Sequence, residues 1–504
     1  MTSATLQCSA TDLQRRLRSG ELTSVQLVGD FLDQISAHNH NGMRLNALIS
    51  VLDRSRALET AKRLDDERAQ GKTRSPLHGI PVIIKDCIVT APDLGMPTTV
   101  GSHIFSKQTA TRNAPVVEQL LENGLIIIGK GNMTEFLGLK SDNTPIGWSA
   151  VGGQTLSAHR IPGLDEKDQP TCGGSSSGPA TGIVAGFSPL GIGTETSGSV
   201  VYPASCCGLY GMKLTPGSAP TEGVFKLSNS FDGLGVLGRT PKDLALLTQI
   251  IFDKDRRELF GPQTLASVLD GSSWRDLSIG IVEPTWGVPY ALDKWSGQDV
   301  KSAYEAVPTR LKGHGAKVEY PLSVPDGTAL KCGEDSLITA AYAEFPKRVE
   351  EFISNFEENA HLKCLADVIR WNEENPDALP EPYTTQTELI RSRDSGMSEG
   401  RHEEVCNELR RLVLEGDMGR LMNDKSLDVV LAPSDSTLVS YSACAGWPIA
   451  TVPLGRMERN GQPFGLFVLA RENREDVLLK FMHLFEGTFA QVGLPVEPLK
   501  AGAR

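Results

Sequence analysis

Apolar positions near the start of the chain recur every three to four residues, which is the spacing of amphipathic helices. The clearest example is the stripe formed by Leu27, Phe31, Leu32 and Ile35. Thr11 with Gln14, and Thr23 with Gln26, have the spacing of capping boxes that begin a helix. The pattern therefore predicts a helical arm over residues 1–70.

Further along the chain, continuous apolar runs predict buried strands, and helical patterns separate several of them. The predicted strands cover residues 46–49, 79–85, 125–129, 277–282, 317–320, 427–433 and 463–469. The predicted helices cover residues 57–69, 116–123 and 300–311, with charged helical sequence continuing to residue 421. This alternation of helices and strands is typical of an α/β fold.

Changes in the pattern divide the chain, which we expect to be a single domain over 1–504, into four segments. Residues 1–70 form the helical arm, and residues 71–252 form a core of alternating strands and helices. Residues 253–426 are rich in charged helical sequence and are expected to form a divergent cap. Strands and a helix within 427–504 then rejoin the core.

Composition and charge narrow the class of protein. The net charge of −12 argues against nucleic acid or an anionic membrane surface as the main partner, because both require clustered lysine and arginine. No apolar run approaches the roughly 20 residues that span a bilayer, and the first residues do not resemble a secretory signal. The 9 cysteines are irregularly spaced and include the adjacent Cys206 and Cys207, which favours free thiols and a reducing, cytoplasmic location.

Three short segments carry the candidate chemistry: residues 173–178 read GGSSSG, residues 198–199 read Gly-Ser, and Lys85 ends an apolar strand. A serine hydroxyl is a poor nucleophile unless a proton acceptor lies beside it and donors face the developing oxyanion. On its own the first segment is equally typical of a flexible linker, but strand-like sequence flanks it and a second glycine-serine turn follows. Lys85 on its own is typical of a solvated charge, whereas its apolar context favours burial, which lowers the pKa of an amine.

Together these segments resemble the amidase signature family, whose members cleave carbon–nitrogen bonds with a Ser-Ser-Lys triad. The resemblance implies that Ser199 is the nucleophile, that Ser175 follows a cis peptide and relays protons, and that Lys85 is the base. Ser175 and Ser199 are 24 positions apart, which is the family's spacing. It also implies one large domain with a central mixed sheet covered by helices on both faces. The implied oxyanion hole uses backbone N–H groups of Thr196, Ser197, Gly198 and Ser199, and the candidate substrate contacts are Met133, Trp148, Gly174 and Tyr202.

Further blocks extend the resemblance over most of the chain. Residues 129–136, GKGNMTEF, match the family's Gly-Lys-x-Asn-x-x-Glu-Phe block, and residues 211–217 resemble its Gly-x-Lys-Pro-Thr block. Gly-Trp-Ser at 147–149 and Gly-Gly-Gln at 152–154 are similar to elements of the fungal-type and bacterial amidases. The resemblance therefore makes residues 71–252 the catalytic signature core.

Two departures from the family's common pattern, Asp-x-Gly-Gly-Ser-x-Arg around the nucleophile, lie beside Ser199. Ser197 stands where a glycine or aspartate is usual, and Val201 stands in the arginine position. The missing arginine weakens the case for a substrate carboxylate bound there and favours neutral or apolar amides.

The resemblance implies hydrolysis of a small-molecule carboxylic amide through an acyl-enzyme, with no cofactor. No P-loop or dinucleotide-binding pattern occurs, and the 9 histidines form no metal-binding motif, so we expect no metal. Three alternatives stay open: the glutaminase-type component of a glutamyl-tRNA amidotransferase, a biosynthetic acyl transferase that uses the same triad, and a scaffold that has lost turnover. A homodimer also stays open, although no apolar stripe in the sequence identifies an interface.

Overall fold

An eleven-stranded mixed sheet forms the centre of the molecule. The computed structural model describes residues 3–259, 264–287, 297–489 and 492. The strands in chain order are β1 (Leu48–Val51), β2 (Pro81–Lys85), β3 (Ile126–Gly131), β4 (Trp148–Ser149), β5 (Gly153–Gln154), β6 (Leu190–Glu195), β7 (Tyr210–Lys213), β8 (Gly233–Gly238), β9 (Ser278–Ile281), β10 (Lys317–Glu319), β11 (Lys331–Cys332), β12 (Asp335–Ser336), β13 (Val429–Pro433), β14 (Ile449–Arg456) and β15 (Pro463–Ala470).

The order of strands across the sheet is β1-β3-β2-β6-β8-β7-β14-β15-β13-β9-β10. Parallel pairing joins β3, β2 and β6, and it also joins β13, β9 and β10. Antiparallel pairing joins β1 to β3 and connects all the strands from β6 to β13. The short pairs β4–β5 and β11–β12 lie outside this sheet.

Helices flank the sheet. They are α1 (Ser3–Leu6), α2 (Ala10–Arg18), α3 (Ser24–His38), α4 (Arg54–Ala69), α5 (Pro115–Glu122), α6 (Ser177–Val184), α7 (Val201–Cys206), α8 (Pro241–Ile251), α9 (Lys254–Glu258), α10 (Gln298–Gly313), α11 (Leu337–Ile353), α12 (Leu365–Glu374), α13 (Thr387–Arg393), α14 (Glu399–Leu414), α15 (Asp417–Asp424), α16 (Leu438–Ala445) and α17 (Glu475–Thr488). The predicted fold class, a large α/β domain with a mixed sheet, is confirmed.

Burial explains why the central strands form where they do. Every residue of β2, β3, β6 and β8 is buried, and β2 is dominated by β-branched residues that favour extended backbone. Buried apolar side chains form two clusters, a large one that includes β2, β3 and α8, and a second one that includes α14 and α16. The sheet is therefore covered over its central part.

Most predicted elements lie within a few residues of their predicted positions, but the first predicted capping box is wrong. Helix α2 begins after Ser9, whose side chain accepts a hydrogen bond from the Asp12 N–H group. Thr11 lies inside the helix, and its N–H and hydroxyl groups both donate to the Asp243 carboxylate. The second box is confirmed at Thr23, where the reciprocal bonds with Gln26 are both present.

The segment 253–426, predicted as a divergent cap, also extends the sheet. It supplies β9 and β10, which pair in parallel beyond β13 and form one edge. All nine cysteines are free thiols, as predicted. Among the helices of the described ranges, none has the length and apolar character needed to cross a membrane.

Candidate active site

Lys85 lies at the end of β2, in the parallel part of the sheet between β3 and β6. Its side chain is fully buried. The Nζ atom is 2.8 Å from Ser175 Oγ and donates to both oxygens of Thr194, Oγ1 at 3.0 Å and the backbone O at 3.2 Å. The structure thus brings together two of the three residues that the sequence assigned to the triad.

Burial lowers the pKa of Lys85 from 10.5 to about 8, because a charged ammonium is poorly solvated in the protein interior. Nearby Cys87, Asp232 and Glu195 raise this pKa, but their effect is smaller than that of desolvation. Within the described ranges no carboxylate forms a salt bridge with Lys85. A substantial fraction of the amine is therefore neutral near pH 8 and can accept a proton.

The glycine-serine segment forms a tight loop that leads into α6. The peptide bond between Gly174 and Ser175 is cis. Gly173 has a φ of 67°, and a Cβ atom there would lie 2.7 Å from Pro203 Cα, so a larger residue would collide with the backbone of α7. The Ser176 N–H group donates to the Ser199 carbonyl at 3.0 Å, and this bond ties the loop to the second serine turn.

The second serine turn connects β6 to α7. Gly198 adopts a φ of 93°, which favours glycine, and places Ser199 shortly before α7. The buried Glu195 carboxylate accepts hydrogen bonds from the N–H groups of Val200 at 2.7 Å and Val201 at 2.9 Å. In the part of the chain that the structure describes, no hydrogen bond uses the N–H groups of Thr196, Ser197, Gly198 and Ser199. Four donors on one turn are therefore available to a ligand.

Three residues that sequence reasoning did not assign to the site contact either this turn or Lys85. Lys213 Nζ donates to the Thr196 carbonyl at 2.8 Å and to the Phe231 carbonyl at 2.8 Å. The Thr196 hydroxyl donates to Asp232 Oδ1 at 2.7 Å. Thr194, described above, contacts Lys85 from β6. Lys213 lies in the block 211–217 that resembles the family, so the sequence contained a signal that could have identified it. The contacts of Asp232 and Thr194 depend on strand pairing, which the sequence does not show.

The four candidate substrate contacts lie in different surroundings. Met133 is fully buried in the large apolar cluster. Trp148 packs against Tyr383, with ring centroids 4.7 Å apart, and Lys140 Nζ lies 5.3 Å from its ring. Tyr383 belongs to segment 253–426, so this segment contacts β4, the short strand that precedes the serine loop in the chain.

Gly174 lies against an exposed apolar side chain. A Cβ atom at Gly174 would be 2.7 Å from both Ile146 Cγ2 and Thr134 Oγ1. Ile146 is 52% exposed, which is unusual for isoleucine and places an apolar surface beside the cis peptide. Sequence reasoning did not identify Ile146, because its exposure depends on the fold.

Tyr202 lines a cavity of about 340 Å³ on the side of α7 that faces β13 and β15. The lining also includes Cys206, Asp435 and Phe464, but neither Ser175 nor Ser199. Burial raises the pKa of the Asp435 carboxyl to about 6. Tyr202 therefore contacts a cavity that neither Ser175 nor Ser199 lines.

Comparisons with known proteins address the family and the fold of this chain. The family model described as Amidase matches residues 26–440. A Schizosaccharomyces pombe protein provisionally named an amidase is 28% identical, with 95% of this chain and 84% of that protein covered. A component of the glutamyl-tRNA(Gln) amidotransferase of Staphylococcus saprophyticus is 27% identical, with 95% and 97% covered. Among solved structures, the peptide amidase of Stenotrophomonas maltophilia has a TM-score of 0.84 and 28% identity, with 97% of this chain and 99% of that chain covered.

Proposed function

This chain belongs to the amidase family, and from that premise we propose that it hydrolyses a carboxylic amide through Lys85, Ser175 and Ser199. The observation that carries the proposal is the 2.8 Å contact between Lys85 Nζ and Ser175 Oγ, formed by a fully buried lysine with a lowered pKa. The hydrogen bond from Ser176 N–H to the Ser199 carbonyl supports it, because this bond holds the two serine segments together.

The proposed first half-reaction forms an acyl-enzyme. Ser199 Oγ attacks the amide carbon while its proton passes to Ser175 Oγ, and the proton of Ser175 passes to the neutral Lys85 amine. The carbon–nitrogen bond then breaks as the leaving nitrogen takes a proton back along the same route. Lys85 is neutral again when ammonia or an amine departs, and water repeats the sequence to release the acid.

The four unused N–H groups of residues 196–199 are the proposed oxyanion hole. They are fixed before substrate binds, because Lys213 holds the Thr196 carbonyl and Asp232 holds its hydroxyl. Donors that need no rearrangement stabilise the tetrahedral intermediate well, and loss of one such donor typically costs about 3–4 kcal/mol of transition-state stabilisation. Because the donors are backbone groups, Ser197 in place of the usual glycine leaves them intact.

The proposed substrate is an amide with a neutral or apolar acyl group. Val201, in the family's arginine position, is fully buried in the second apolar cluster, so its side chain supplies no charge to the turn. Ile146 supplies an exposed apolar surface beside Gly174. The likeness to a peptide amidase makes peptide amides with apolar terminal residues the first class to assay.

The amidotransferase component remains the second candidate function, because proteins of that name match this chain. It predicts glutaminase activity that depends on a partner protein. Release of ammonia from peptide amides by the isolated chain, with none from glutamine, would exclude it. An acyl transferase predicts that hydroxylamine or an amine captures the acyl group in preference to water, which product analysis can measure.

The first experiment is labelling with a fluorophosphonate, which reacts with an activated serine without knowledge of the substrate. We expect one adduct per chain by intact mass, mapped to Ser199, and no adduct in Ser199→Ala or Lys85→Ala. Ser177→Ala is the matched control, since Ser177 lies two positions after Ser175, at the start of α6, but its hydroxyl donates to Thr155 and to the Asn132 carbonyl. An adduct on another serine, or full labelling of Lys85→Ala, would contradict the proposed triad.

A further inference from the structure

Three side chains with different metal-binding atoms converge between α11 and α14. His402 and Cys406 are four residues apart on α14, and therefore lie on one face of that helix. Glu344 projects from α11 toward the same point. His402 Nε2 is 3.1 Å from Glu344 Oε1 and 3.4 Å from Cys406 Sγ, and all three ligand atoms lie within 4.8 Å of one another.

We propose that Glu344, His402 and Cys406 bind a divalent cation of the zinc class. In a tetrahedral zinc site the metal–ligand distances, about 2.3 Å for sulfur and about 2.0–2.2 Å for nitrogen and oxygen, place neighbouring ligand atoms roughly 3.3–3.6 Å apart. The observed nitrogen–oxygen and nitrogen–sulfur distances differ from these by only a few tenths of an ångström. A thiolate with an imidazole favours zinc or cobalt over magnesium or calcium, which prefer oxygen ligands.

The arrangement of Glu344, His402 and Cys406 does not fit a catalytic proton relay of the Cys-His-Glu type. A relay requires the thiol at one ring nitrogen and the carboxylate at the other, so that the imidazole can pass a proton between them. Here Glu344 and Cys406 both approach Nε2 of His402. Convergence of both partners on one nitrogen is the arrangement expected of ligands around a common ion.

The Glu344 carboxylate also accepts hydrogen bonds from groups outside the proposed ligand set, and such supporting bonds are common for metal ligands. Ser228 Oγ donates to Glu344 Oε1 at 2.6 Å, and the Asn229 N–H group donates to Oε2 at 2.7 Å. Binding releases the Cys406 thiol proton to solvent, and the thiolate and carboxylate together balance the two positive charges. Three protein ligands leave the fourth position for water.

The site would link segment 253–426 to the candidate oxyanion turn. Ser228 and Asn229 belong to the loop that ends at Asp232, and Asp232 accepts the hydrogen bond from the Thr196 hydroxyl. A bound cation would fix Glu344 and, through it, this loop. The inference rests on the three ligands and not on the proposed amidase activity.

Cobalt(II) titration of the chelator-treated full chain tests the proposal directly. We expect one cobalt per chain, with a thiolate-to-cobalt charge-transfer band and the visible bands of tetrahedral cobalt, both displaced by zinc. Cys406→Ser should lose the charge-transfer band, and His402→Ala should bind at least about 100-fold more weakly. Cys332→Ser, which removes another half-buried thiol, should bind like the parent.

Thermal unfolding is a second measurement, which tests the proposal even if one of the other variants folds poorly. Zinc should raise the thermal unfolding midpoint of the parent and of Cys332→Ser, but not that of Glu344→Gln, whose folded state circular dichroism can verify. Equal cobalt spectra in the parent and Cys406→Ser, or no metal binding by the folded parent at equimolar cobalt, would overturn the proposal.

Discussion

Lys85 differs from two other buried lysines in what its ammonium group contacts. Lys140 forms a fully buried ion pair with Glu135, and Lys213 donates to two backbone carbonyls. Lys85 donates to one backbone carbonyl, that of Thr194, and also contacts two hydroxyl groups, those of Thr194 and Ser175. A neutral amine can receive a proton from a hydroxyl, whereas it cannot receive one from a carbonyl, so the surroundings of Lys85 suit a base.

The lowered pKa of Lys85 predicts the pH dependence of activity. The neutral amine is the active form of the base, and its fraction increases as pH rises through the folded-state pKa of about 8. We therefore expect kcat/KM for a neutral amide to rise about tenfold per pH unit below pH 7 and to level off above pH 9. A profile that is flat between pH 6 and pH 9 would show that Lys85 does not titrate in the free enzyme.

Asp232 is expected to tune this pH profile. Its charge raises the pKa of Lys85, so Asp232→Asn should shift the inflection to lower pH. The variant should also lower kcat, because Asp232 positions Thr196. Asp270→Asn, which removes an exposed carboxylate elsewhere, should leave the inflection unchanged, and a shift to higher pH in Asp232→Asn would contradict the electrostatic argument.

The three proposed triad residues were predicted from the sequence because each lies in a short segment with recognisable neighbours, and the structure brings two of them, Lys85 and Ser175, into contact. Thr194 and Asp232 could not be predicted, since their contacts arise where β6 pairs with β2 and β8. Glu344, His402 and Cys406, the proposed cation ligands, could not be predicted either, because the fold brings together the two helices, α11 and α14, that carry them. The four-residue spacing of His402 and Cys406 is visible in the sequence, but Glu344 lies 58 positions before His402, on another helix.

Hydrogen bonds join β6, the serine turn and α7 into one structural unit. Glu195, at the end of β6, accepts hydrogen bonds from N–H groups at the start of α7, which places a carboxylate where a helix favours negative charge. Glycines on the sheet leave room for the unit to pack closely: a Cβ atom at Gly211 would lie 2.6 Å from Ala204 Cβ. The glycine-rich β8 was not predicted as a strand, because glycines interrupt the apolar run that predicted the other buried strands.

Gly193→Ala tests how closely the two serine segments must pack. The new Cβ atom would lie 2.5 Å from Ser176 Oγ and 2.9 Å from Ser176 Cβ, so the loop that carries Ser175 must move. We expect destabilisation of about 1–3 kcal/mol and a loss of roughly 100-fold in kcat, because small misplacements of catalytic groups are costly. Thermal unfolding and steady-state kinetics measure the two effects.

Gly191→Ala is the matched control for that variant. It lies two positions earlier on β6, and the nearest atoms to its Cβ would be Ile183 Cδ1 at 3.2 Å and Pro179 Cβ at 3.3 Å. The end of an isoleucine side chain can shift by that amount, so kcat should stay within a few-fold of the parent. Equal losses of kcat in the two variants would show that the effect is general to β6 and not specific to the serine loop.

The order of the strands in the main sheet could not be predicted from the sequence. The predicted strands near residues 280 and 430 are far apart in sequence, yet β9 and β13 are parallel neighbours. Hydrophobic patterns identify which residues are buried, but they do not identify which buried strand pairs with which. The sequence predicts segment 253–426 as a divergent cap with two strands, and the structure adds that these strands extend the main sheet and that Tyr383 contacts Trp148.

A long-range contact joins helix α2 of the amino-terminal arm to α8. Asp243, fully buried at the start of α8, accepts hydrogen bonds from the N–H groups of Ala10 and Thr11 and from the Thr11 hydroxyl. The contact spans 232 residues of sequence and satisfies donors that the first turn of a helix cannot satisfy internally. Removal of the carboxylate would leave these donors without an acceptor.

Asp243→Ala should therefore lower the free energy of unfolding by roughly 2–4 kcal/mol. Limited proteolysis should then cleave the chain within its first 40 residues sooner than in the parent, because α2 loses its attachment to α8. Asp12→Ala is the control. It removes a carboxylate from the first turn of α2, but the ion pair of Asp12 with Arg15 is exposed and contributes little to stability. Faster cleavage in Asp12→Ala than in Asp243→Ala would show that local helix stability, and not docking on α8, holds the arm.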